Sequence, residues 1–308
     1  MSMCATASQD LSEPLAGTAA TAPTWLLIEQ PGPWGRAAVT GSHLDPAVGR
    51  ALEQAAKGTG VRVALIRRPG RHADRHLPAR HRIFVAHTRP GRSWVRTTTL
   101  TDPARLLDLD LAALGAGDLG GLPAEWAPYT GDPLALVCTN GKRDRCCALL
   151  GRPLAAELAA TGGEAVWEIT HIGGHRFSPT LLVLPYGYAY GRATADSVRE
   201  ALEAVRAGRI VTRGCRGRSA WERPGQAADL AVRELIGEQD ADALTLLRTE
   251  GASPAWTIAL AHTDGRQWQV SVAEVRTAPP RPESCGAALG TPARMEIIGI
   301  REVVGSAV

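Results

Sequence analysis

LALVCTNGKRDRCC (134–147) and WEITHIGGHRFSPTLLVLPYGYAYGR (167–192) frame the part of the sequence whose pattern is clearest. Leu134–Val137 is an apolar run that predicts a buried strand delivering Cys138 at its C-terminal end, a usual place for sites in α/β folds. A polar loop, TNGKRDR, follows. From about Cys146 to Ala160, Leu149, Leu150, Leu154 and Leu158 recur at helical spacing. Pro153 has no amide N–H, so the helix is expected to restart there after Gly151. Ala165–Ile169 reads as the next strand, and Leu181–Pro185 with Tyr188–Arg192 as a hairpin around Tyr186–Gly187. Thr194 or Asp196 caps a final helix through Ala207 that carries Val198, Leu202 and Val205 on one side. The expected order is β–α–β–β–β–α, an α/β domain.

The same stretch carries the chemistry. Cys138 and Cys147 have eight residues between them, and His171 and His175 have three. Thiolate and imidazole together suit iron–sulfur centres, zinc or copper. The reading is one metal centre held by Cys138, Cys147, His171 and His175, with a [2Fe–2S] cluster as the leading cofactor. Gly173 and Gly174 give a tight turn that lets both imidazoles point inward and backbone N–H groups approach the cofactor. Arg143, Arg145 and Arg176 are expected to offset its negative charge. Cys146 is adjacent to Cys147, and neighbours at a helix start rarely serve one metal, so either could be the ligand. Two cysteines and two histidines also satisfy zinc, which leaves a zinc-stabilised binding or structural module as the alternative. A thiol–disulfide enzyme would need a resolving cysteine at CxxC-like spacing, and the sequence has none.

Working outward, the chain has 308 residues and a net charge of +3, too small by itself to imply nucleic acid. Hydrophobic residues make up 44% and no apolar run reaches the length of a membrane span, so a soluble, cytoplasmic protein is expected. Residues 1–23 lack a basic start and an apolar core and read as a disordered tail. Six cysteines without a secretory pattern argue against a disulfide framework. Asp45–Pro46 opens a helix to Gly58, and Val61–Ile66 and Ile83–Ala86 read as strands, giving a small α/β domain at 24–127. Between Arg62 and Arg96 lie ten arginines and one acid, a local charge of about +9. That suggests a docking surface for an acidic redox partner. His72 and His76 repeat the three-residue spacing, with His81 and His87 after them, but no cysteine lies nearby; this reads as an Arg/His-rich loop. Residues 104–114 suggest a short helix before a Gly-rich linker. RGRSAWERPGQ (216–226) reads as another linker. Ala227–Ile236, Trp256–Ala261, Gln267–Val275 and Met295–Val304 form a small α+β unit at 216–308, with Cys285 as a loop or packing residue.

At the cysteine and histidine segments the chain resembles the sucrase/ferredoxin-like family. Cys138-Thr139, Arg143-Asp144 and Cys147 resemble its Cys-x8-Cys segment with an internal Arg-Asp, and His171-Ile172-Gly173-Gly174-His175 its His-x3-His segment. Phe177–Arg192 continues the likeness, and a looser one covers about 24–305, including RPESCG at 281–286. Asn140 departs from a position where the family often has His, leaving the ligands untouched. The region is also similar to thioredoxin-like ferredoxins with a Cys-x3-Cys pair before a Pro and a YPDG-like turn. Here His171 and His175 take the place of that pair, followed by Pro179 and Leu184-Pro185-Tyr186-Gly187. The resemblance implies a degenerate thioredoxin-like domain at 24–127 and a thioredoxin-like ferredoxin domain at 128–215. It implies a [2Fe–2S] cluster on Cys138, Cys147, His171 and His175, favouring Cys147 over Cys146, in an electron carrier rather than a catalyst. "Sucrase" in the family's name does not imply a glycosidase, because no carboxylate pair stands out as acid and nucleophile.

Overall fold

A computed structural model describes residues 3–70, 80–162 and 165–303. Helix α1 (Cys4–Asp10) precedes strand β1 (Thr24–Glu29). Helix α2 (Pro46–Ala56) starts where expected: the Asp45 carboxylate accepts the Ala47 N–H at 2.7 Å and Pro46 needs no partner. Strand β2 (Val61–Arg67) then returns parallel to β1. Strand β3 (His81–His87) pairs antiparallel on the other side of β1, and β4 (Trp94–Leu100) on β3. The helix expected at 104–114 is split. A 3-10 turn at Pro103–Asp108 gives way to α3 (Leu111–Ala116), because the Asp110 carboxylate accepts the Ala112 and Ala113 N–H groups at 3.0 Å and caps a new start. Short β5 (Ala127–Pro128) closes the edge on β4.

The second half repeats this order. Strand β6 (Leu134–Cys138) is followed by α4 (Arg145–Gly162) and by β7 (Val166–Ile169), parallel to β6. Strands β8 (Leu181–Leu184) and β9 (Tyr188–Tyr190) run antiparallel beyond β6, and α5 (Ala195–Arg206) follows, capped by Thr194 in a reciprocal pair with Ser197. The α4 helix runs through Pro153 without a restart. The N–H that Pro153 lacks would have met the Leu149 carbonyl, and Leu149 lies on the solvent side, 52% exposed, where water can take that carbonyl. On the inner side, a Cβ on Gly151 would strike the Cys138 carbonyl, so glycine lets the helix lie against the end of β6.

The two halves join edge to edge. Strands β2 and β7 pair antiparallel at Ile66↔Ile169 and Arg67↔Glu168, making one ten-stranded sheet with order β10-β9-β8-β6-β7-β2-β1-β3-β4-β5. An apolar layer built from both halves, including Trp25, Ile66, Phe84, Leu136, Trp167 and Leu182, lies against it and contains Cys138 and Cys147. At the seam, Arg67 donates to Glu168 at 2.7 Å and lies over the Trp34 ring.

Two further expectations are corrected. Residues 4–22 carry α1 and buried Cys4, Ser8 and Glu13 instead of an unstructured tail. Arginines remote in sequence hold this arm: Arg176 and Arg281 pair with Glu13 at 2.9 and 3.1 Å, and Arg192 donates to the Ser8 and Glu13 carbonyls. The expected linker at 216–226 is also largely buried, with only Glu222 exposed. Strand β10 (Cys215–Arg218) pairs with β9, and α6 (Arg223–Ile236) begins within that stretch. The α6 helix packs on a four-stranded antiparallel sheet of β11 (Leu244–Ala252), β12 (Ala255–His262), β13 (Gln267–Arg276) and β16 (Ala293–Val303). Between β13 and β16, β14 (Arg281–Pro282) and β15 (Leu289–Gly290) form a small ribbon that carries Cys285 in its loop. No helix among the described residues is long and apolar enough to cross a membrane.

Candidate metal centre

Strand β6 is an all-buried central strand, as its apolar run dictates, and it ends on Cys138. The chain then turns, with the Asn140 carbonyl accepting the N–H groups of Arg143 and Asp144 at 3.2 Å. The Asp144 carboxylate accepts the Cys146 N–H at 2.9 Å and so caps the start of α4. Successive residues on a helix point about 100° apart, so Cys146 and Cys147 face different ways. Cys147 faces Cys138; Cys146 does not.

On the next connection, β7 hands over to His171. Gly173 and Gly174 have φ of +80° and +68°, a left-handed pair that non-glycine residues rarely adopt. This turn brings a nitrogen of His171 to the two sulfurs: the ligand atoms of Cys138, Cys147 and His171 all lie within 4.8 Å of one another. His175 stands one ring further out. Its Nδ1 lies 3.3 Å from His171 Nε2 and its Nε2 lies 3.6 Å from Asp144 Oδ2. Three of the four expected ligands thus converge, and the fourth touches the third.

The electrostatics fit a metal centre. Cys147 shares its proton with Cys138, which holds the Cys138 thiol well below its ordinary pKa despite burial, and His171 adds to the effect. The same hydrogen bond, with burial, pushes Cys147 upward. Burial holds His175 below its usual value, against the pull of Asp144. Nδ1 of His171 is buried without a hydrogen-bond partner among the described residues. A buried, unpaired imidazole nitrogen costs free energy that a metal bond would recover. The donor set therefore fits a thiolate–imidazole metal site.

Two arginines clamp the histidine turn. Arg62, from β2 in the other half, donates to the His171 carbonyl at 2.9 Å, and Arg216, from β10, to the Gly173 carbonyl at 3.2 Å. Arg216 is fully buried; burial and the repulsion of Arg176 lower its pKa to about 10, while Cys138 and Cys147 oppose that fall. It remains a cation at neutral pH. The family model described as sucrase/ferredoxin-like matches residues 15–217.

The chain belongs to that family. No curated protein and no solved structure matches it. The family span holds all four expected ligands, Arg62 and Arg216, and stops before α6 and the second sheet.

The other expected site residues in this sucrase/ferredoxin-like chain are placed as follows. Arg143 and Arg145 are exposed beside the cysteine loop. Arg176 is half-buried, with its charge answered by Glu13. Gly174 packs so closely on the Arg216 guanidinium that a Cβ would displace it, whereas the position of a Cβ on Gly173 is open, with Ala20 4.0 Å away. His72 and His76 lie outside the described residues. His81 and His87 serve the fold: His81 Nδ1 meets the Glu29 carbonyl at 2.7 Å, and buried His87 meets the Thr24 hydroxyl at 2.8 Å and stacks on Trp94. Sequence reasoning missed Arg216, because CRGR looks like a solvated basic loop and no local signal marks it as a buried strand.

Proposed function

We propose that this protein is an electron carrier holding one [2Fe–2S] cluster through Cys138, Cys147, His171 and His175. The observation that carries the reading is the convergence of two buried sulfurs and His171, backed by the unpartnered His171 Nδ1. Bound there, the cluster would take up and return one electron. The repeated β–α–β–β–β order supports a thioredoxin-like plan for both halves. Cys138 and Cys147 supply the thiolates from a dry, apolar layer. Arg216 is a buried cation beside the sulfurs, which favours a site that gains negative charge on reduction.

For both histidines to ligate, the contact between the His171 and His175 rings must be exchanged for metal bonds. A groove beside His171, about 620 Å³, has Arg36, Lys57, Arg62 and Arg143 in its lining against one acid, Glu53, and offers the approach for an acidic redox partner. Of the ten arginines at 62–96, Arg80, Arg82, Arg89 and Arg92 are exposed, while Arg62 and Arg67 are engaged inside the fold.

Zinc at the same residues is the second reading, because the ligand atoms of Cys138, Cys147 and His171, within 4.8 Å of one another, also suit a single tetrahedral ion with His175 as its fourth ligand. Anaerobic purification followed by absorption and EPR spectra, with iron and acid-labile sulfide counts, separates the two. Iron with equal sulfide and a Rieske-like signal on reduction supports the carrier. Zinc without sulfide supports the module. His171→Cys and His175→Cys should each keep some cluster and lower its potential; unchanged spectra in both would remove the histidines from the site.

A further inference from the structure

Back to back with this centre lies a second cluster of sulfurs drawn from three distant parts of the chain. Cys4 from α1, Cys146 from the first turn of α4, and Cys285 from the loop of the β14–β15 ribbon meet with sulfurs 3.5 Å (Cys4–Cys146), 3.6 Å (Cys4–Cys285) and 3.2 Å (Cys146–Cys285) apart. The Asp144 carboxylate oxygens lie 3.8 and 3.9 Å from the Cys4 sulfur. All four ligand atoms fall within 4.8 Å of one another, and Cys4, Asp144 and Cys146 are buried.

We propose that Cys4, Cys146 and Cys285, with Asp144, form a separate structural site for one zinc ion. A tetrahedral ion with sulfurs at 2.3 Å sets them about 3.8 Å apart, close to the observed spacings. Three thiolates and a carboxylate complete a closed four-coordinate shell, the pattern of a structural rather than a catalytic zinc site. Asp144 is preorganised for this. Its oxygens accept the Cys146 N–H at 2.9 Å and the Cys285 N–H at 2.8 Å, which fixes two of the three cysteine backbones around it. Each oxygen keeps a second lone pair for the ion. Binding to the thiols releases their protons.

The consequence is mechanical. The ion would tie the N-terminal arm and the β14–β15 ribbon to the first turn of α4, where Cys147 faces the other way into the first centre. Cys4 and Cys285 fall outside the span matched by the family, so the site is not part of what that match describes. It stands whether or not the first centre carries iron.

The test uses the full chain, purified without chelator and supplied with zinc. Metal counts are expected to show one zinc per chain. Zinc-edge X-ray absorption should show three sulfurs at about 2.3 Å and one light atom at about 2.0 Å. Cys4→Ser/Cys285→Ser should lose that zinc while keeping the iron, sulfide and visible spectrum of the unaltered protein. Absence of zinc, a shell of two sulfurs and two nitrogens, or zinc retained by the double variant would overturn the proposal. So would a disulfide between any two of the three cysteines, read by mass after alkylation of the purified protein. If the double variant does not fold, the absorption spectrum of the unaltered chain decides. Iron and sulfide counts report separately on the first centre.

Discussion

Replacing Arg67 by Met removes the cation at the seam between the two halves and leaves Glu168 buried. Glu168 is 3% exposed and its carboxylate then keeps only the Thr139 hydroxyl, at 2.8 Å, of the two partners it has among the described residues. Breaking a buried ion pair from one side costs roughly 3–5 kcal/mol, because an uncompensated charge remains in low dielectric. The Gly32 carbonyl also loses the donor that Arg67 gives it at 2.9 Å. Arg67→Met/Glu168→Gln keeps an oxygen for Thr139 but removes the charge. It should cost only about 1–3 kcal/mol, the scale of unsatisfied neutral groups. The assay is urea unfolding followed by tryptophan fluorescence and far-UV circular dichroism, at equal metal content. The double variant must therefore be more stable than Arg67→Met. A double variant no more stable than the single, or a cost for Arg67→Met below about 1 kcal/mol, would refute the buried-charge reasoning. Thr139 follows Cys138 directly, so Arg67→Met should also lower metal retention, read by iron counts.

Three further outcomes are expected. Cys147→Ser should abolish the visible chromophore while Cys146→Ser retains it, as absorption spectra of the two purified variants would show, because only Cys147 faces Cys138. Gly174→Ala should destabilise the protein more than Gly173→Ala does. Both incur the left-handed strain of about 1–2 kcal/mol, but only position 174 drives a Cβ into Arg216; thermal melts compare them. Burial, with Arg89, Arg92 and Arg218 nearby, lowers the His87 pKa from 6.5 to about 4. The folded state then binds the proton later than the unfolded state, so this residue has no effect above pH 6.5 and destabilises increasingly as pH falls toward 4. The slope is about 1.4 kcal/mol per pH unit, and His87→Gln should flatten that part of the stability profile measured by denaturant titration.

The apolar run of 134–137, the helix-capping Thr194 and Asp45, and the alternation of strands with helices were legible because they are local. Each depends on residues within one turn or one strand. That Cys138, Cys147 and His171 come from two short motifs was likewise legible, as residue types at short spacing. What sequence could not settle were contacts between distant segments. The split at Asp110 followed from a side chain winning the competition for two N–H groups against a continuous helix. The continuity of α4 through Pro153 depended on which side of the helix faced water.

By itself the sequence determined the family, the α/β class and the segments that carry sulfur and imidazole. The tertiary structure decided which sulfur each segment presents. On α4, a rotation of about 100° per residue sends Cys147 to Cys138 and Cys146 to Cys4 and Cys285, and no linear spacing encodes that choice. It also decided that residues 4–22 are part of the fold. A stretch of small and polar residues has too little apolar surface to order itself. It becomes ordered because Arg176, Arg192, Arg216, Arg223 and Arg281, from elsewhere in the chain, donate to its carbonyls, to the Thr18 hydroxyl and to Glu13.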